Sequence, residues 1–147
     1  MPAPKRVDFY ILSTTEANGR LQFACRLTEK AYNMDTQVYA HTETPADAKR
    51  LDEMLWTFRQ GSFIPHEIVG ESDELRAPVS IGTGTARLNE GQLLINLSNE
   101  LPDFSKGFER VAEIVSADEA GRQTGRKRFK QYRDMGLQPE THDIGRG

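Results

Sequence analysis

Residues 7–12, VDFYIL, form a short apolar run rich in β-branched and aromatic side chains, the pattern of a buried strand. After a polar loop, LQFACRLTEKAYNM places Leu21, Ala24, Cys25, Leu27, Thr28, Ala31 and Tyr32 at helical spacing, and TQVYAHT then reads as a second strand. A strand, a helix and a strand in that order favour a parallel sheet covered by its own crossover helix. TPADAKRLDEMLWTF repeats the pattern as a second helix, with Thr44 as its cap and Pro45 in its first turn. Shorter strand candidates follow in VSIGTG, QLLINLS and KGFERVAEIVS, and a last helix spans about Asp118 to Met135. The expected fold is α/β, a three-layer sandwich with a mainly parallel central sheet and helices on both faces.

A chain of 147 residues with 37% hydrophobic and 28% charged side chains suits a single domain over residues 1–147. Residues 1–5 and 138–147 are expected to be loose termini. No apolar run approaches the roughly 18–20 residues that span a bilayer, so no membrane contact is expected. The start, MPAPKRVDFYIL, lacks a signal peptide's long apolar region. Cys25 has no partner for a disulfide and sits within a helical stripe, where it reads as a small buried hydrophobe. The expected compartment is the cytoplasm.

A parallel α/β sheet raises the question of a nucleotide. The turn after the first strand, STTEANG, holds one glycine and no phosphate-loop lysine, and Gly82-Thr83-Gly84 does not open a helix. His41, His66 and His142 are scattered, with no neighbour at ligand spacing. No nucleophile elbow or Cys–His arrangement is present in the local sequence. Neither a cofactor, a metal nor a catalytic residue is expected.

The charge is uneven. The chain carries −3 in total, yet residues 122–133 (RQTGRKRFKQYR) hold six Lys/Arg and no acid, which leaves −9 on the rest. With a helical advance of about 100° per residue, Arg122, Arg126, Phe129 and Arg133 fall within about 60° of one another, with Lys130 close by. The result is a line of cations with a ring in its middle. Three readings fit it: a dipole-complementing helix with Phe129 in the core, a nucleic-acid grip, or a notch for an acidic peptide with an apolar anchor. A basic site this compact on an acidic body weakens the nucleic-acid reading.

A second feature is LWTFRQGSFIPH, residues 55–66. Leu51, Leu55 and Phe58 share one side of the second helix, and Trp56 is turned about 100° from Leu55. Phe63 and Pro65 stand in a loop where polar residues are usual. These side chains either seal the helix end or form a partner's docking patch.

Taken together, RVDFYIL, AKRLDEMLWTFRQGSFIPHEIVGE, LLINLS and GRKRFKQYRDMGL resemble the chi-subunit family of bacterial DNA polymerase III, over about Arg6 to Leu137. The resemblance implies a Rossmann-like nucleotide-binding-domain topology without a phosphate loop. It also implies a non-catalytic accessory subunit of the clamp-loader complex, reaching DNA only indirectly. Its implied partners are the psi subunit, as a heterodimer that joins it to the clamp loader, and the acidic C-terminal tail of single-stranded-DNA-binding protein. Tail binding maps by resemblance onto Arg122, Arg126, Phe129 and Lys130, with Val115 at the pocket edge; Arg133 is added from the helical geometry. Psi binding maps onto Trp56 and Phe63, with Phe58 and Pro65 as neighbours. Phe129 stands where the family can have tyrosine, which keeps stacking but loses a hydroxyl. The alternative function is direct binding of single-stranded DNA or a primer junction.

Overall fold

β1 (Arg6–Leu12) lies inside a seven-stranded sheet, paired with β6 (Phe108–Val115) on one side and β7 (Glu140–Ile144) on the other. This is seen in a computed structural model that describes residues 4, 6–16, 18–61, 63–70 and 77–144. The remaining strands are β2 (Val38–Thr42), β3 (His66–Ile68), β4 (Val79–Thr83) and β5 (Gly91–Leu97). The sheet order is β3-β4-β2-β5-β6-β1-β7, and every one of these pairings is parallel. Parallel strands need both faces covered, which explains why β2 and most of β5 are buried along their length.

One face is covered by α1 (Gly19–Asn33) and α2 (Pro45–Thr57). Leu21, Phe23 and Ala24 of α1 and Ala48, Leu51 and Leu55 of α2 pack there against Val38, Ala40, Ile81 and Ile95. Thr44 caps α2 as expected, its hydroxyl accepting from the Asp47 N–H at 3.1 Å, with Pro45 in the first turn. Cys25 is buried in this core, and burial pushes its thiol up to about 12. The other face is covered by α3 (Glu119–Asp134) over Phe9, Val111 and Val115, and farther along by Leu101 and Phe104 against Tyr39 and Phe108. The architecture is the expected three-layer α/β sandwich. Its strands, among the described residues, are parallel throughout.

The expected loose tail after residue 138 is corrected: Glu140–Ile144 form β7, the edge strand beside β1. His142 stacks on Tyr10 with ring centroids 5.0 Å apart, and its Nε2 lies 2.8 Å from Asp8 Oδ1. Ile144 packs against the α1-side core. An edge strand with one half-buried face and exposed polar side chains on the other gives almost no apolar run, so its sequence resembles a tail. Pro4 is buried; Met1–Ala3, Lys5 and residues 145–147 lie outside the described residues.

Candidate protein-docking sites

The rotation of α3 about its axis is fixed by a buried polar cluster. Arg128 and Tyr132 point inward, 3% and 0% exposed. The Arg128 guanidinium donates to Glu113 Oε1 at 3.1 Å and to the backbone carbonyls of Ser98 and Asn99. Tyr132 donates to Glu113 Oε2 at 2.8 Å, and Asn96 Nδ2 donates to the same oxygen at 2.9 Å. Burial pushes the Glu113 carboxyl upward, against the opposing pull of Arg128, Asn96 and Tyr132. Burial and the neighbouring carboxylate also raise the Tyr132 phenol. With Arg128 and Tyr132 turned inward, Arg122 and Arg126 are exposed on α3, and Phe129 stays half-buried.

The axial position of α3 depends on Gly125. A Cβ there would lie 2.9 Å from Val115 Cγ2, so only glycine lets the helix sit this close to β6. The close approach leaves a groove of about 440 Å³ between α3 and the strands β1 and β7. Its apolar lining comes from Phe9, Ile11, Val115 and Phe129, with the rings of Phe9 and Phe129 5.3 Å apart and tilted by 56°. Arg122 and Arg126 line it from the helix, and Thr141 and Asp143 from β7. Neither guanidinium has a hydrogen bond or ion pair within the described residues. Both are therefore available to an anion.

The structure thus brings together Arg122, Arg126, Phe129 and Val115. Two other expected residues stand apart from them. Lys130 is paired with Asp134 at 3.2 Å, with 79% of its side chain exposed, and does not line the groove. Arg133 borders a separate hollow with Phe129, Leu137 and Pro139. Sequence reasoning missed Phe9, Ile11, Gly125, Thr141 and Asp143. The glycine between two helical cations was a legible sign of close packing; the β7 residues gave none.

The second patch lies where α2 runs into β3. Trp56 is 54% exposed and its ring stands 4.4 Å from that of His66. The His66 side chain is fully buried, held by the carbonyls of Ile64 at 2.6 Å and Asp52 at 3.0 Å. Ile64 is 2% exposed and anchors the loop, which leaves Phe63 at 80% exposure and Pro65 exposed beside it. Phe58 is half-buried and packs on the core. Trp56 and Phe63 are large apolar side chains left exposed on adjoining segments, which is unusual for surface side chains of this size.

Among possible metal donors, Asp8, Glu140 and His142 converge within 4.8 Å, brought together by the β1–β7 pairing. Arg6 binds both carboxylates, at 3.0 and 3.1 Å, and Arg110 approaches Asp8 at 3.6 Å. The negative charge is already balanced by protein cations, and the cluster serves to hold β7.

A sequence profile described as "DNA polymerase III chi subunit, HolC" matches residues 5–140. The chain belongs to the DNA polymerase III chi subunit family. It is 44% identical over 141 residues to DNA polymerase III subunit chi of Pseudomonas aeruginosa, covering 96% of this chain and 98% of that protein. The corresponding protein of Haemophilus influenzae is 33% identical, at 96% and 99% coverage. That of Escherichia coli is 31% identical, at 93% and 97%. As a chi-family member the chain is a DNA-replication accessory subunit. In fold it is similar to S. cerevisiae Dbp5 bound to RNA and ADP BeF3, with a TM-score of 0.65, 14% identity and coverage of 97% of this chain and 42% of that one. At that identity the likeness concerns the fold alone.

Proposed function

We propose that this chain is a tethering subunit. The α3 groove receives the acidic C-terminal tail of single-stranded-DNA-binding protein, and the Trp56–Phe63 patch holds the psi subunit, which joins it to the clamp loader. The observation that carries the reading is the groove itself: an apolar floor of Phe9, Val115 and Phe129 with two unpaired guanidinium groups at one rim. Such a site fits an apolar terminal side chain beside carboxylates. Burying the anchor contributes roughly 2–3 kcal/mol. Each exposed ion pair adds roughly 0.2–1 kcal/mol, which places affinity in the micromolar range after association costs. Many tails on coated template then raise the effective concentration, so a modest contact suffices for tethering and for handover from primase to polymerase.

Direct binding of DNA through residues 126–133 is less well supported. Of their cations, Arg128 is buried against Glu113, and the Asp134 carboxylate stands beside exposed Lys130, which interrupts a phosphate track. The separating experiment uses two variants. Arg126→Glu abolishes capture of the tail and leaves psi binding intact; Trp56→Ala does the reverse. Loss of both contacts in either folded variant refutes the assignment of two independent surfaces.

A further inference from the structure

β7 separates two grooves, one on each face of the sheet. On the α1 face, Tyr10, Phe23, Leu27 and Ile144 line a second groove of about 570 Å³, walled on one side by Met34, which is 67% exposed. Arg26 and Lys30, one turn apart on α1, line it as cations, and Arg26 also lies 5.6 Å over the Phe23 ring. Neither has a carboxylate partner within the described residues. The third cation there, Arg59, is neutralised by Glu29 at 2.9 Å, so the groove's net charge is positive. The Tyr10 hydroxyl makes no hydrogen bond within the described residues and lines the same groove.

We infer that this second groove binds an acidic peptide segment that carries an apolar side chain, at a site distinct from the α3 groove. Charge complementarity selects the occupant: two unpaired cations beside a recessed apolar floor match carboxylates flanking one hydrophobic residue. A nucleic acid is a poorer match. Phe23 is only 8% exposed and offers no open face for base stacking, and two free cations neutralise too few phosphates. The inference does not depend on what occupies the α3 groove.

The test is calorimetric titration of the full chain with a short synthetic peptide of aspartates ending in phenylalanine. Arg26→Glu/Lys30→Glu removes one equivalent of bound peptide, while Lys49→Glu/Arg50→Glu, the same charge change on exposed positions of α2, leaves the stoichiometry unchanged. Circular dichroism confirms that each variant is folded. In Arg126→Glu, the equivalent that remains is the one lost on adding Arg26→Glu/Lys30→Glu. Unchanged stoichiometry and affinity in Arg26→Glu/Lys30→Glu would overturn the second site. A stoichiometry that Arg126→Glu alone fails to change would count against the α3 reading and leave the second site standing.

Discussion

The Arg128 guanidinium meets the Glu113 carboxylate at 3.1 Å, with 4% and 5% of the two side chains exposed. This pair ties α3 to β6. It also turns the helix so that Arg122, Arg126 and Phe129 line the groove. A buried pair is more costly to break than to replace, because removal of one partner leaves a charge without solvent or counter-ion. Arg128→Ala therefore loses about 3–5 kcal/mol; Arg128→Met/Glu113→Leu recovers part of it, the rest being withheld because Tyr132 and Asn96 lose their acceptor. Urea unfolding of the two variants measures the difference; equal losses would contradict it.

Gly125 sets the distance between α3 and Val115. In Gly125→Ala the helix gains about 1 kcal/mol of intrinsic propensity but meets an overpacking cost of about 1–3 kcal/mol. The expected outcome is a net loss of up to about 2 kcal/mol, together with weaker tail binding because the groove floor moves. Thermal unfolding and peptide titration of one variant check both. A stabilised variant with unchanged affinity would show that the close approach has no role.

Asp143 lines the groove opposite Arg122 and Arg126, and makes no ion pair within the described residues. An acidic tail meets it as a like charge. Asp143→Asn removes an exposed repulsion of about 0.2–1 kcal/mol, which tightens tail binding by up to about fivefold. The gain shrinks as salt rises. Weaker binding in the variant would mean that the carboxylate accepts a hydrogen bond from the peptide.

His41 is 7% exposed, and its Nδ1 lies 2.7 Å from the Tyr39 hydroxyl. Burial lowers its pKa, with the positive charge of Arg87 adding to the effect and Glu43 opposing it. On acidification the unfolded chain takes up this proton first, near pH 6.5, so the His41 contribution is complete above about pH 6.5 and declines below it. Between pH 7.5 and 5.5, His41→Gln should lose less Tm than the parent chain. Parallel declines would assign the pH dependence to other groups.

The sheet core was legible because central parallel strands are continuous apolar runs and the helices over them carry a period-3.6 stripe. Val38–Thr42, Leu93–Leu97 and the Leu51–Leu55 stripe are such cases. The helix side of the groove was legible for the same reason, since Arg122, Arg126 and Phe129 share a face by spacing alone. Lys130 fits that spacing but spends its charge locally on Asp134. Arg133 lies one turn beyond Phe129 and borders a different hollow. The strand side was not legible. Phe9 and Ile11 read as ordinary core residues of β1, and Thr141 and Asp143 joined them only through pairing across more than a hundred residues. The convergence of Asp8 with Glu140 and His142 depends on the same long-range pairing.

The most direct measurement of the central claim is a fluorescence-anisotropy titration of a labelled acidic tail peptide with this chain and with Arg126→Glu, at low and moderate salt. Micromolar binding that weakens with salt and is lost in the variant is the predicted result. Equal binding by both proteins, or binding by the parent chain that ignores salt, would contradict a cation-rimmed α3 groove as the docking site.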